Sequence, residues 1–479
     1  MIMNLLSSAS IFSFFTLISR ILGYLRDILI AVFLGASIFA DAFFVAFRLP
    51  NTFRRLFAEG TFNAAFIPSY TSANIKNKKT GKIFADSVLS ILLFILVFLV
   101  TIAEIFAPYL VYLIAPGFAA DNIKFNLAIE FTRITFPFLL FVSLSSFFSG
   151  ILNSNNKFAA AAAAPIILNI VLIFSIIISY FYNLEIAKQL SFAVTISGII
   201  QLIFLIYVAF EFYKPNIKFS LALNNKVKFF FKKLLPSIFS SGVTQINILV
   251  GTIIASFQTG AVSYLYYADR VYQINLAIAG IAVGTVSLPA LSKAFQKKNF
   301  AKVSNIQNKS IELSLLLSIP ASLGLIFASE EIVNGLFGYG SFTQNDVIMT
   351  SDALNFFGYG VIAFALVKIL ANFFFARDNT KIPFYISSFV VFLNVFISLL
   401  YFKKIGFLII PIATSFSTWV GVFIFLFILY KRKFLFLKKK LFNSIIKIVF
   451  SSIIMSSVLI YTLEKFSHKL SYAYSYKSI

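Results

Sequence analysis

Long apolar runs alternate with short polar breaks along almost the whole chain. Many runs approach the roughly 20 apolar residues that an α-helix needs to cross a hydrocarbon core of about 30 Å. Because lipid offers the backbone no hydrogen-bond partners, such runs must be helical. The pattern predicts thirteen helices, near 7–34, 38–70, 84–115, 125–151, 158–182, 188–212, 229–256, 261–292, 305–329, 346–376, 383–401, 406–430 and 442–463.

The charge of the loops gives these helices an orientation. Loops after even-numbered helices are rich in lysine and arginine, as at 76–82, 214–228 and 431–440, whereas loops after odd-numbered helices carry few basic residues. Lys403 and Lys404 are the one basic pair on the second side. Since basic loops normally face the cytoplasm, we predict a cytoplasmic N-terminus and a periplasmic C-terminus. No loop is long enough for a soluble catalytic or nucleic-acid-binding domain.

Composition supports a membrane protein. Of the 479 residues, 60% are hydrophobic and only 12% are charged, against about 25% charged residues in soluble domains. The formal net charge of +23 is assigned to loops that face anionic headgroups rather than to nucleic-acid binding. The chain has no cysteine and one histidine, His468, which excludes disulfides and metal sites of thiolates or clustered histidines. No cofactor or metal is expected.

The two halves of the chain resemble each other. Similar stretches end at Arg48 and at Arg270, and Pro68 and Pro289 follow them at nearly the same spacing. Loop parity gives helices 1–6 and 7–12 the same orientation, which suggests a parallel duplication of the kind found in transporters. We therefore predict an all-α polytopic membrane protein with six-helix lobes at 1–213 and 214–430. Residues 431–479 supply a basic cytoplasmic linker, one further transmembrane helix and a short outer tail.

Ionisable residues lie inside several predicted helices. An arginine that faces lipid costs about 2.5–3.5 kcal/mol on insertion scales, so these side chains are expected to line a water-filled cavity between the lobes. Guanidinium groups suit phosphate because they donate two parallel hydrogen bonds and stay charged. The candidate substrate-binding residues are Arg20, Arg26, Arg48, Arg54 and Arg270; the candidates for gating or charge pairing are Asp27, Asp41, Glu59 and Asp269.

Simpler roles compete with these assignments. Arg20 and Arg26 are six residues apart, which places them about 120° apart around a helix, and either could extend to a membrane interface. Asp27 lies beside Arg26 and Asp269 lies beside Arg270. A simpler role for each aspartate is to balance the charge of its neighbour. Asp41 and Glu59 could form salt bridges that switch between helices.

These charged stretches closely resemble the MurJ/MviN family of lipid II flippases. The matching runs are SRILGYLRD at 19–27, ADAFFVAFRLPN at 40–51, RRLFAEG at 54–60, APGF at 115–118 and YYADR at 266–270. The resemblance implies two six-helix lobes around a central cavity. It also maps the cavity arginines of the family onto Arg20, Arg26, Arg54 and Arg270, with acidic partners at Asp27, Asp41 and Glu59, and Arg48 stands where relatives are also basic.

The resemblance implies a flippase, not an enzyme, that moves lipid II from the cytoplasmic to the periplasmic leaflet of a bacterial inner membrane by alternating access. The expected partners are lipid II and membrane lipids but no nucleic acid; the chain is expected to be a monomer, with cell-wall synthesis proteins as candidate partners. Alternatives are a flippase for another polyprenyl-pyrophosphate-linked oligosaccharide or a drug or organic-cation antiporter of the same superfamily. A membrane glycosyltransferase is disfavoured because the outer loops are short.

Overall fold

The computed structural model describes residues 2–57, 61–216, 227–228, 230, 232 and 245–475. All regular secondary structure in these residues is helical. The helices are α1 (Ile2–Leu34), α2 (Ile38–Phe57), α3 (Thr61–Lys76), α4 (Lys78–Ile105), α5 (Ala107–Ile114), α6 (Asn122–Thr135), α7 (Phe138–Ser154), α8 (Phe158–Phe181), α9 (Ile186–Ala209), α10 (Gln245–Ala255), α11 (Ala261–Leu276), α12 (Val283–Gln296), α13 (Phe300–Phe327), α14 (Ser329–Phe337), α15 (Gln344–Phe375), α16 (Lys381–Ile405), α17 (Ile409–Lys431) and α18 (Lys439–Ser475). A π-helical turn, Ala277–Ala282, joins α11 to α12.

The helical, polytopic architecture confirms the predicted fold class. Within the described ranges, nine helical stretches are long and apolar enough to cross a bilayer. The count of thirteen stays a prediction, because the predicted helix at 229–256 is described only in part. Helix α2 continues through Pro50 to Phe57, although the missing N–H of this proline removes one helical hydrogen bond.

Residues Met1–Phe257 form the first compact unit. Its core is aromatic: the Phe66 ring lies 5.1 Å from Phe147 and 6.0 Å from Phe84, and Phe230 meets Phe62 edge-on at 5.6 Å. Offset and edge-to-face pairs of this kind add to the free energy gained by burying the rings. The interior of this unit is therefore closely packed.

The segment that leaves α9 is fastened to α4 of the same unit. Asp86 accepts hydrogen bonds from the Tyr213 hydroxyl at 2.6 Å and from the backbone N–H of Asn216 at 3.1 Å. Burial, together with the Asp86 hydrogen bond, raises the pKa of the Tyr213 hydroxyl. The tyrosine therefore keeps its proton and remains a donor to the carboxylate.

Residues Gln258–Ile479 form the second compact unit. Helices α13, α15 and α17 pack closely there, and Ser322 Oγ of α13 donates to the carbonyl of Gly358 of α15 at 2.7 Å. The loop between α17 and α18 is held by polar side chains: Gln307 Nε2 and Arg377 Nη2 donate to the Phe434 carbonyl at 2.7 and 3.1 Å. The loops that follow α15 and precede α18 therefore lie on the same side of the membrane.

The compact units divide the chain after Phe257, whereas orientation and repeat place the predicted division at 213–214. The division after Phe257 reflects how the residues pack, whereas the division at 213–214 reflects the orientation and repetition of helices along the chain. The predicted lobes at 1–213 and 214–430 stay a prediction.

Candidate functional site

Arg26 and Asp27 form a buried ion pair on α1. Arg26 Nε and Nη2 lie 2.9 and 2.6 Å from Asp27 Oδ1, and the two residues are 6% and 2% exposed. Arg26 Nη1 donates to Asn169 Oδ1 of α8 at 2.9 Å, and Asn169 Nδ2 donates to the Ser19 carbonyl at 2.8 Å. The pair therefore fixes α1 against α8, and three of the five guanidinium donors are occupied.

Asp41 is paired with a lysine that the sequence interpretation did not select. Lys124 Nζ of α6 lies 2.5 Å from Asp41 Oδ2 of α2, and the ammonium is 4.1 Å above the centre of the Phe118 ring. Asp41 is 0% and Lys124 3% exposed. Asp121 caps α6 by accepting from the backbone N–H groups of Ile123 and Lys124. The N-terminal turn of α6 is thus attached to α2 by charge.

The other two arginines of α2 are more accessible. Arg48 and Arg54 are partly buried, and Arg54 Nε donates to Asn51 Oδ1 at 3.0 Å. Arg48 lies seven residues after Asp41, on nearly the same face of the helix. Helix α2 therefore carries the paired Asp41 near its start and two partly buried arginines, Arg48 and Arg54, further along.

In the second unit, Arg270 lies on α11 with an aromatic neighbour. Its Nη2 donates to the hydroxyl of Tyr266 at 3.0 Å, and its guanidinium carbon lies 4.6 Å from the centre of the same ring. Asp269 accepts a short hydrogen bond from Gln273 Nε2. Both Asp269 and Arg270 are partly buried. The ring and the hydroxyl of Tyr266 thus hold the guanidinium in place.

The remaining predicted residues lie apart from these groups. Arg20 is exposed on α1, six residues before Arg26 and therefore on a different face. Glu59 lies outside the described residues. Of the predicted residues, the structure thus joins Arg26 directly to Asp27, and it joins Asp41 to Lys124.

The sequence contained signals for two residues that were missed. Lys124 follows the helix cap Asp121 by three residues, and a cation in the first turn of a helix is unfavourable unless a carboxylate lies nearby. Asn169 is a polar residue in the apolar helix α8, and such residues commonly bond to a neighbouring helix. Neither pattern identifies the partner side chain, because Asp41 is distant from Lys124 along the chain and Arg26 is distant from Asn169.

Comparison with known proteins identifies the family. The family model described as "Lipid II flippase MurJ" matches residues 30–478. The "Probable lipid II flippase MurJ" of Rhizobium tropici is 37% identical over 462 residues, covering 93% of this chain and 85% of that protein. A solved structure, "Lipid II flippase MurJ, inward closed conformation", matches with a TM-score of 0.82 and 29% identity over 94% of this chain and 92% of that one.

A more distant structure shows the same fold. An inward-facing multidrug resistance transporter of the MATE family and MOP superfamily matches with a TM-score of 0.71 and 13% identity, covering 86% of this chain and 94% of that one. At this identity only the fold is comparable. The family match over nearly the whole chain, with the Rhizobium tropici relative, shows that this chain belongs to the MurJ lipid II flippase family.

Proposed function

We propose that this chain translocates lipid II from the cytoplasmic to the periplasmic leaflet by alternating access. The family to which it belongs consists of transporters rather than enzymes, as the sequence predicted. The observation that carries the proposal is the excess of accessible arginine over carboxylate inside apolar helices. Arg20, Arg48, Arg54 and Arg270 are exposed or partly buried, whereas Asp27 and Asp41 are buried beside cations.

The accessible arginines bind the pyrophosphate of the substrate. Each guanidinium offers paired donors that match phosphate oxygens, and its charge persists at any physiological pH. Arg26 is the exception, because it is almost fully buried against Asp27. Its contact with pyrophosphate belongs to a conformation in which Asp27 has released it.

The carboxylates act as gates in this scheme. Asp27 and Asp41 are already paired, with Arg26 and Lys124, so each pair is an element with a closed and an open arrangement. Asp269 and Glu59 are assigned to the same class of charge-pairing residues. An anionic substrate competes for the cations and therefore binds the open arrangement more tightly. This difference in affinity shifts the equilibrium toward the open arrangement.

The membrane potential supplies direction. Moving one negative charge outward across an inside-negative membrane is favoured by about 2.3 kcal/mol per 100 mV. The sequence offers no nucleotide-binding motif, so the proposal uses this potential instead of ATP.

The chain is a multi-pass membrane protein of a bacterial family. Its basic loops support an N-terminus in the cytoplasm and a C-terminus outside. We further propose that it acts as a monomer in the inner membrane, where proteins of cell-wall synthesis are its candidate partners.

The charge pattern favours this function over the alternatives. An antiporter of drugs or organic cations needs carboxylates that outnumber the bases, yet Asp27 and Asp41 are each neutralised by a cation. A flippase for another polyprenyl-pyrophosphate-linked oligosaccharide would use the same arginines. Depletion of the protein in its native cell separates the two, because only the proposed function predicts lipid II accumulation in the inner leaflet.

Arg54→Ala and Arg270→Ala test the binding role directly. Both residues are only partly buried, so their removal disturbs the packing less than removal of the buried Arg26 would. Loss of a charged hydrogen bond to the pyrophosphate should slow lipid II translocation in vesicles by about tenfold or more. Arg432→Ala, at an exposed position in the loop after α17, is the matched control and should translocate normally. Unchanged translocation by both test variants would contradict the proposal.

A further inference from the structure

Lys368 is a cation of α15 that the function proposed above does not use. It lies about two turns before the end of the helix at Phe375, which is about 10 Å along the axis at 1.5 Å per residue. Its side chain is exposed although the next residues, Ile369 and Leu370, are buried. In the part of the chain that the structure describes, no carboxylate forms an ion pair with it. An intramembrane lysine without a counter-ion indicates a functional site.

The face of α15 that carries Lys368 is turned toward its own unit. Lys368 follows Phe357 and Phe364 at spacings of eleven and four residues, so the three share one face of the helix. The rings of Phe357 and Phe364 lie 4.6 and 5.4 Å from the ring of Tyr272 on α11. Lys368 therefore continues a face that packs against a neighbouring helix, not one that faces acyl chains.

The neighbouring helix is distorted at the depth of Lys368. In the π-helical turn Ala277–Ala282, Gly280 lies so close to α15 that an added Cβ would stand 3.1 Å from Ala365 Cα. Four residues after Gly280, the carbonyl of Gly284 accepts a hydrogen bond from Asn372 Nδ2 of α15 at 2.8 Å. Single π turns are frequent at functional sites. The lysine and the distorted turn thus lie at the same level, on facing elements.

From this geometry we infer that Lys368 is an anion-binding residue of the second unit and contacts a phosphate oxygen of the lipid-linked diphosphate. The inference rests on the proposed function. A lysine ammonium is a compact charge with three rotatable donors, which suits a phosphate group that moves past it. The second unit then offers a mobile cation at Lys368 in addition to Arg270, whose guanidinium is held by Tyr266. The phosphate of an ordinary anionic phospholipid has the same chemistry, so the experiment must separate the two sources.

Binding of lipid II is the main test. Lys368→Gln should weaken the binding of lipid II to the purified full-length chain roughly ten- to hundredfold, as the loss of one charged hydrogen bond would. Lys368→Arg keeps the charge and should recover most of the affinity. Lys447→Gln is the matched control, since Lys447 is exposed on α18 about 12 Å from the start of that helix, on the same side of the membrane.

The outcomes distinguish the two proposals. If the wild-type chain does not bind lipid II, the proposed function fails and the inference falls with it. If the wild type binds and Lys368→Gln behaves like Lys447→Gln, only the role of Lys368 is overturned. If Lys368→Gln loses binding to phosphatidylglycerol in nanodiscs but keeps lipid II binding, the ligand is a phospholipid headgroup and the diphosphate assignment is wrong.

Water accessibility provides a second measurement that does not depend on affinity. The chain contains no cysteine, so Lys368→Cys would carry the only thiol. A charged methanethiosulfonate reagent should modify it, and lipid II should slow the reaction. Ile446→Cys, at a similarly deep exposed position of α18, should stay unmodified because it faces lipid. If the reagent modifies neither thiol, Lys368 faces acyl chains and the inference is overturned.

Discussion

The two units contain the same sequence feature, an arginine next to an aspartate, and use it differently. In the first unit, Arg26 pairs with its neighbour Asp27. In the second, Arg270 donates to Tyr266 and Asp269 accepts from Gln273. Adjacency along a helix therefore does not decide whether two opposite charges pair.

The residues one helical turn away explain the difference. Tyr266 precedes Arg270 by four positions and Gln273 follows Asp269 by four, so each charged group has a polar partner on its own face. The corresponding neighbours of Arg26 are Leu22 and Ile30, which are apolar. Arg26 therefore turns to the adjacent carboxylate and to Asn169 of α8.

The consequence is a difference in how deeply the charged groups are buried and in which groups hold them. The first unit neutralises its buried carboxylates, with Arg26 on Asp27 and Lys124 on Asp41. In the second unit the guanidinium of Arg270 is held by the ring and the hydroxyl of Tyr266. Buried ion pairs fix helices together, whereas a partly buried arginine remains accessible to an anion. The first unit thus uses these charges to hold helices together, and we propose that Arg270 of the second unit uses its charge to bind a ligand.

The largest effect is expected at the Asp41–Lys124 pair. Asp41→Asn removes the charge from one partner and leaves Lys124 buried without a counter-ion, which should cost about 3–5 kcal/mol of unfolding free energy. The measurement is the thermal unfolding midpoint of the purified chain, together with its amount in the membrane.

The double variant is the control for this pair. Asp41→Asn with Lys124→Gln removes both charges and should recover much of the stability, since no buried charge is left alone. A double variant that is folded but does not transport would assign the pair to gating as well as to structure. Wild-type stability of Asp41→Asn alone would show that burial of Lys124 needs no counter-charge.

Most of the fold was predictable from the sequence. Apolar length located most of the described membrane-spanning helices, because the hydrocarbon core sets a minimum length and one secondary structure for every span. Breaks within spans were harder to predict. The predicted helix at 38–70 corresponds to two helices, because α2 continues past Pro50 and ends at Phe57, and α3 begins at Thr61. A proline removes one donor, and the helix can tolerate this loss when neighbouring elements hold it.

The candidate site was predictable in residue type but not in pairing. Placing a charged side chain in the hydrocarbon core costs free energy, and this cost marks Arg26, Asp41 and Arg270 as unusual in any membrane fold. The partners Lys124 and Asn169 lie on other helices, and loop charge assigns Lys124 to an outer connection rather than to the interior. Which residues meet depends on how helices pack against each other, and a hydropathy pattern does not contain that information.

A smaller effect is expected from Tyr266→Phe. The substitution keeps the ring beneath the Arg270 guanidinium and removes the hydroxyl that accepts its hydrogen bond. The loss of about 1 kcal/mol should raise the lipid II concentration needed for half-maximal transport about fivefold, with little change in the maximal rate. Tyr266→Leu also removes the ring and should have a larger effect. Equal behaviour of the two variants would mean that the ring does not support the arginine.

The smallest effect is expected at Lys188 and Glu130, an ion pair of the first unit that is not buried. Lys188 Nζ lies 2.7 Å from Glu130 Oε1, nearly the separation found in the Arg26–Asp27 pair, but the side chains are 38% and 45% exposed. Water solvates either charge when the other is removed, so Lys188→Gln should leave the unfolding midpoint and transport unchanged. This null result would show that burial, rather than pairing, makes the first unit depend on its charges. A destabilisation as large as that of Asp41→Asn would instead mean that ion pairs hold this unit together wherever they lie.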